Sequence, residues 1–256
     1  MPTVARLNVT PVKSTALHNP ERIRLERYGA VGNREFFFVD ADGRRFGGSK
    51  KAPVMPIRAE HDPDEDRLTL RLPDGIVISG PAAADGEALV VNFYGRDVPA
   101  HIVEGDWEEG LSRFAGHLVR LARVDRPGDA TDERPVTLVS LASVAELSRQ
   151  GGRDRAIDPG RFRMLVEIEG CEPHEEDTWS GRRVRVGEAE VRVGDPVPRC
   201  VITTLDPQTG LRDFPTLSVI KAYRGVAGDN ELQFGVYGDV VRPGTIGVGD
   251  PVEPLD

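Results

Sequence analysis

The amino-acid sequence predicts a mainly β chain with only a few helices. Most of its apolar runs are short and are bounded by Gly, Pro and Asp. Two turn signals, Asp40-Ala41-Asp42-Gly43 and Pro73-Asp74-Gly75, each follow a strand-like segment directly. Helical spacing of apolar residues is confined to a few stretches.

Residues 4–9 alternate and open the chain as a strand. Residues 35–39 run into the first turn, and residues 68–72 alternate into the second. Residues 76–78 and 88–91 read as further strands. Up to about residue 105 this is a small β-barrel or curled sheet. Asp106 is placed to cap a helix over 107–117, with Trp107, Leu111 and Phe114 on one face. Ser140 or Ser143 caps a second helix that ends at Gln150-Gly151-Gly152. A third helix covers about 216–224. Later strands are expected at 136–139, 162–168, 182–186, 190–193, 201–205 and 234–241. The stretch from Pro243 to Val252 alternates small and apolar residues and reads as a closing β-hairpin. Residues 125–133 are polar and contain Pro127 and Gly128, so they read as a boundary or connecting loop.

With 256 residues and 39% hydrophobic content, the chain can bury one large core or two small ones. Its net charge of -9 argues against nucleic acid or an anionic membrane as partner. The only lysines are Lys13, Lys50, Lys51 and Lys221; the other cations are arginines, which suit bidentate phosphate and carboxylate contacts. No run has the length and apolarity of a signal peptide or a membrane span. Two cysteines and no export signal make a reducing cytoplasm the expected location.

Cys200 lies in Pro198-Arg199-Cys200-Val201-Ile202-Thr203-Thr204-Leu205-Asp206-Pro207-Gln208-Thr209-Gly210. Two cysteines cannot make a disulfide framework or a four-thiolate metal site. Cys200 is either a single-point ligand or nucleophile beside Arg199, or a small buried hydrophobe. The five histidines show no metal-ligand spacing with one another or with cysteine. Glu175-Glu176-Asp177 reads as a solvated loop. Lys13, Arg34 and Arg163 are expected at strand ends, where loops converge on a pocket. With the Ser14 hydroxyl they would suit an anionic, phosphate-bearing ligand; taken singly, each reads better as a surface ion pair.

Several ordered motifs then carry a resemblance. Pro11-Val12-Lys13-Ser14, Arg34 before Phe36-Phe37-Phe38-Val39-Asp40, Phe162-Arg163, Glu176-Asp177-Thr178-Trp179, Arg199-Cys200 through Gly210, Phe234-Gly235 and Pro243-Gly244-Thr245-Ile246 recur in this order. The chain resembles the MOSC-domain family, in the form with a preceding β-barrel domain and of the amidoxime-reducing kind. The resemblance implies a MOSC N-terminal β-barrel domain over residues 1–125, packed on a C-terminal MOSC β-barrel over residues 126–256.

It further implies a molybdenum–molybdopterin cofactor, with Cys200 as the thiolate ligand to the metal. Lys13, Ser14, Arg34 and Arg163 would contact the pterin and its phosphate. Arg134 stands near a position often held by a small hydroxyl residue and could add a phosphate contact. Pro198 and Leu165 replace a serine and an asparagine, which removes two polar contacts, and Cys171 reads as structural. The implied activity is reduction of N-hydroxylated or N-oxide small molecules by oxygen-atom transfer. Asp206 could then deliver protons, although its Asp-Pro-x-Thr-Gly context equally reads as a turn. Two cysteines cannot hold an iron–sulfur cluster, so a separate reductase or ferredoxin-type electron donor is implied. The alternative is a sulfur or cofactor carrier that uses a Cys200 persulfide or thiolate. It resembles the end of cofactor sulfurases, without their pyridoxal-phosphate domain. The third reading is a barrel that binds some phosphorylated ligand, with Cys200 inert.

Overall fold

A computed structural model describes residues 1–47, 54–228 and 230–255, which leaves Lys50 and Lys51 outside the described residues. The chain opens with β1 (Thr3–Leu7), β2 (Arg22–Glu26) and β3 (Gly29–Ala30). Next come β4 (Phe36–Asp40) and β5 (Arg45–Phe46), joined through Gly43 at φ 70°, a left-handed conformation that favours glycine. β6 (Arg58–Asp62), β7 (Arg67–Arg71) and β8 (Val77–Pro81) form a meander, turned between β7 and β8 at Gly75. β9 (Ala88–Phe93), β10 (Arg96–Ile102), α1 (Trp107–Ala115) and β11 (Val119–Val124) complete this half. The second half contains β12 (Val136–Ser140), α2 (Leu141–Gln150), β13 (Val166–Glu169), β14 (Arg183–Val186), β15 (Ala189–Pro198), α3 (Thr216–Arg224), β16 (Gln233–Arg242), β17 (Gly244–Gly247) and β18 (Val252–Leu255).

The largest sheet has the order β1-β13-β12-β16-β15-β14-β18. Its two outer strands approach each other: Thr3 bridges Pro251, and Val252 N donates to Pro2 O at 2.9 Å. The sheet is therefore a nearly closed barrel, with Val4, Leu7, Leu138, Trp179 and Val191 in its interior cluster. A five-stranded sheet, β5-β4-β11-β10-β9, and the β6-β7-β8 sheet make up most of the N-terminal barrel. The molecule is mainly β with three α-helices among the described residues, as its short, turn-bounded strands predict.

The N-terminal segment is shared between the halves. β1 pairs with β13, while β2 lies between β3 and β17. The chain then returns through β4, whose Phe36, Phe37, Phe38 and Val39 are all buried. Strand alternation sends Phe36 and Phe38 into one core, with Trp107 and Leu121. Phe37 and Val39 face another, with Phe93 and Val98. Both faces of β4 are covered, which explains its unbroken apolar run.

Several local expectations change. Asp106 makes no side-chain cap on α1, whereas Ser140 caps α2 by accepting from Ala142 N at 3.1 Å. Phe162 belongs to a 3-10 turn over Pro159–Phe162, and the strand begins only at Val166. Residues 201–204 form another 3-10 turn rather than a strand. There Thr203 Oγ1 and Thr204 Oγ1 donate back to the carbonyls of Cys200 and Val201, at 3.0 and 2.7 Å, and curl the backbone. The C-terminal segment does not close on itself as a hairpin, because β17 pairs with β2 and β18 with β14. No described helix is long and apolar enough to cross a membrane.

Glu176 is fully buried rather than part of a solvated loop. Its carboxylate accepts from Ser140 N at 3.1 Å and from Ser143 Oγ at 2.8 Å, tying the Glu175–Trp179 turn to the start of α2. Burial raises its pKa, and the bonds from Ser140 and Ser143 oppose the rise. Glu176→Gln keeps an acceptor for both donors and should cost under about 1 kcal/mol, whereas Glu176→Ala strands them and should cost about 2–3 kcal/mol in urea unfolding. Equal losses in the two variants would show that the carboxylate is not what holds this junction.

Candidate functional site

The segment after β1 is held by short-range polar contacts. Thr10 Oγ1 and Thr15 Oγ1 lie 2.7 Å apart, and Thr15 Oγ1 also donates to Val12 O. Next to it runs the segment that leads into β4. Arg34 N donates to Thr10 O and Lys13 N to Phe36 O, both at 2.7 Å. The two segments therefore present Lys13 and Arg34 side by side. The turn that ends at Phe162 delivers Arg163, whose Nη2 donates to Thr15 O at 2.7 Å and whose carbonyl accepts from Arg34 Nη2 at 3.1 Å. Ser14, Arg34 and Arg163 all adopt left-handed φ, at 76°, 57° and 54°. Such backbone is costly for non-glycine residues and persists only where surrounding contacts enforce it.

Lys13 and Arg34 are buried and share one carboxylate. Asp132 accepts from Lys13 Nζ at 3.0 Å, from Arg34 Nη1 at 2.5 Å and from Tyr94 OH at 3.2 Å. Lys13 Nζ also donates to Ala130 O at 2.8 Å. Burial pushes the Lys13 pKa down to about 7, against the attraction of Asp132 and with the help of nearby Arg34. For Asp132 itself burial works upward, but Arg34 and Lys13 outweigh it and hold the carboxyl well below its usual range. Burial, then the neighbouring Arg34 charge, lowers Arg163 to about 9. Arg163 Nη1 is buried and has no hydrogen-bond partner.

The cysteine arm completes the cluster. Cys200 is exposed and is a free thiol at the start of the Val201–Thr204 turn. Arg199 points inward, donating to Phe234 O through Nε at 2.8 Å and to Phe162 O at 3.1 Å. Burial lowers its pKa to about 10, while Tyr237, Asp132 and Cys200 pull it upward. Arg199 thus lies within the fields of both Asp132 and Cys200. The turn is anchored from behind: Arg161 makes a two-pronged contact with Asp213, both bonds at 2.9 Å, and Thr203 O accepts from Thr216 Oγ1 at 2.6 Å.

The expected site residues therefore divide. Lys13, Arg34 and Arg163 come together, with Ser14 on the same segment and Cys200 joined through Arg199. Arg134 is not brought to the cluster; it is exposed and bonds Asp239 at 3.2 Å. Asp206 stands in the turn that its Asp-Pro-x-Thr-Gly context also predicts. Its Oδ1 accepts from Gln208 N, Thr209 N and Thr209 Oγ1 at 2.8–3.0 Å. Burial raises its pKa, but the bonds from Thr209 and Gln208 outweigh this and hold it below the usual range. Pro198 ends β15, and Leu165 lies in the barrel core, so neither supplies a polar side chain here. Sequence reasoning missed Asp132 and Tyr94. The one signal for Asp132 was the polar character of the 125–133 loop.

The cluster fits a phosphate-bearing ligand on two counts. Buried Lys13 and Arg34 share one carboxylate, the half-buried Arg163 and Arg199 lie within its field, and Arg163 Nη1 remains unpaired. An exposed thiol beside them fits a soft metal.

Comparison with known proteins places the chain in a family. A MOSC domain model matches residues 125–253, and a MOSC N-terminal beta barrel domain model matches residues 1–109. Mitochondrial amidoxime-reducing component 1 of Homo sapiens is 30% identical, over 98% of this chain and 82% of its own length. Mitochondrial amidoxime reducing component 2 of Bos taurus is 25% identical over the same shares. Molybdenum cofactor sulfurase of Caenorhabditis elegans is 27% identical over 92% of this chain but only 33% of its own length. With both halves matched in order along nearly the whole length, the chain belongs to the MOSC-domain family, in the form that carries the N-terminal β-barrel domain.

Proposed function

We propose that the chain binds a molybdenum pterin cofactor and reduces N-hydroxylated or N-oxide compounds. The observation that supports this most is the meeting of Lys13, Arg34 and Arg163, with Arg163 Nη1 unpartnered, on a chain whose exposed free Cys200 follows the inward-pointing Arg199. The amidoxime-reducing relatives and the cofactor sulfurase tie such chains to molybdenum-cofactor chemistry and, for the former, to reduction.

Lys13, Arg34 and Arg163 would hold the pterin phosphate, and the unpaired Arg163 Nη1 has a bond to offer it. Ser14 sits on the same strained segment and would contribute its hydroxyl. Cys200 would ligate the metal as a thiolate. When bound, the cofactor supplies a metal centre able to exchange an oxygen atom with the substrate as two electrons pass. Asp206 is held in its turn by bonds from Gln208 N, Thr209 N and Thr209 Oγ1. A separate reductase or ferredoxin-type protein would supply the electrons.

Protein made in a cofactor-competent host should carry near-stoichiometric molybdenum by metal analysis, and Cys200→Ala should lose most of it while keeping its urea midpoint. Metal-free wild-type protein from such a host would sink the proposal. A one-sulfur mass increment on Cys200 without metal would favour a carrier instead.

The cation cluster makes a second prediction on ligand-free protein. Lys13 has its folded pKa lowered from 10.5 to about 7, so it sheds its charge as pH rises through 7, and an anion that needs the charge must recruit a proton. Sulfate does not titrate in this range. Its affinity should fall about fivefold between pH 7 and pH 8 by calorimetry, as a single-site titration requires. In Lys13→Met the affinity should be weaker and flat with pH. A wild-type affinity independent of pH would show that Lys13 does not meet the anion.

A further inference from the structure

A cleft of about 640 Å³ opens beside the site, between the loop after β1, the start of β6 and the Cys200 loop. Arg163 forms part of one wall and Pro207 and Gln208 part of another, so the cleft reaches from the cation cluster to the turn that follows the Cys200 segment. Its volume suits a small organic molecule.

The charges on its walls are unevenly matched. Asp158 is bonded to Arg6 at 3.3 Å and to Gly160 N at 2.8 Å. Arg6 is bonded in turn to Glu167, and Glu60 has Arg71 at 3.9 Å. Arg58, the first residue of β6, is exposed and takes no hydrogen bond or ion pair among the described residues. The Gln208 side-chain amide on the facing wall is likewise without a bond. His18 uses Nε2 on Ala59 O at 2.6 Å, leaving its other ring nitrogen free. Besides Arg163 at its inner end, the wall therefore offers one exposed cation without a side-chain partner, Arg58, beside neutral hydrogen-bonding groups and the paired carboxylates of Asp158 and Glu60. On a chain with net charge -9, a local cation of this kind is what lets an anion approach.

We propose that this cleft binds the substrate and selects compact polar molecules that carry a carboxylate or phosphate, with Arg58 recognising that anion. Arg58 is a specificity residue here, remote from the reacting bond. This rests on the reductase reading for the chemistry, but the binding step stands independently of it. A planar guanidinium grips a carboxylate through two parallel bonds, and the Gln208 amide and the free His18 nitrogen can reach the polar body of the ligand.

The test compares benzamidoxime with its para-carboxylate on the molybdenum-loaded protein. Wild type should favour the carboxylate about tenfold in kcat/KM, the scale of one charge-assisted contact. Arg58→Ala should abolish that preference by raising KM for the carboxylate alone, with kcat and the neutral compound unchanged, and Arg58→Lys should restore part of it. No preference in wild type, or an equal preference in Arg58→Ala, would overturn the proposal. A loaded protein that reduces neither compound would refute the reductase reading. Calorimetric titration of the carboxylate into metal-free protein then decides the cleft: an approximately tenfold loss of affinity in Arg58→Ala supports it, and equal affinity overturns it.

Discussion

The site depends on where β1 pairs. β1 lies against β13 in the C-terminal barrel, whereas β4, reached through β2 and β3, lies in the N-terminal barrel. The chain must cross between the two within residues 8–35. That crossing puts Lys13 beside Arg34, and it brings both against Arg163, which comes from the turn that leads into β13. Had β1 paired within its own half, these cations would have no common location. The barrel and the pocket are consequences of one strand placement.

Bringing the cations together has a cost. Burying a charge without a matched partner is expensive, and Lys13, Arg34, Arg163 and Arg199 face chiefly one carboxylate. The strain is visible in Lys13, drawn to about 7, and in Arg163, drawn to about 9. Asp132 relieves part of it by taking Lys13 and Arg34 together, with the Tyr94 hydroxyl as a third donor. Backbone carbonyls relieve another part, with Thr15 O accepting from Arg163 and Phe234 O from Arg199. The remaining positive excess is a reason for such a pocket to bind an anion more strongly than an isolated surface pair would.

Much of this was legible in the sequence, for identifiable reasons. β4, α2 and α3 have strong periodicity or caps and fall where residue pattern places them. Lys13, Arg34 and Arg163 stand at chain reversals, and the ordered motifs set them in one pocket. Asp132 was not legible because its partner Arg34 lies 98 residues away, and a polar loop gives no sign of what it reaches across space. The run from Val201 has strand composition, and only the Thr hydroxyls bonding back to the chain curl it. The C-terminal strands were readable, but their partners were not. Pairing of β17 with β2 is a contact between distant segments that no local pattern encodes. β6 escaped notice because Ala59 is its only buried residue and the others are charged or polar.

The two ends of the site differ in a way that gives it direction. At the inner end Lys13 and Arg34 are buried, and the backbones of Ser14, Arg34 and Arg163 are held in left-handed conformations. At the outer end the Cys200 thiol is exposed, yet its loop is not loose. Arg161, itself only 1% exposed, grips Asp213 and Thr203 O behind it, and Thr216 binds the same carbonyl. A ligand that satisfies both ends must be bipolar, with an anionic tail directed inward and a thiophilic head directed outward. In that orientation the tail is shielded from water, where its charge interactions are strongest. Under the proposed function the head would stay at the surface, open to a small substrate and to an electron donor. A rigid loop is then required, because an exposed ligand atom has no surrounding core to position it. The Arg161–Asp213 contact supplies that rigidity from beneath.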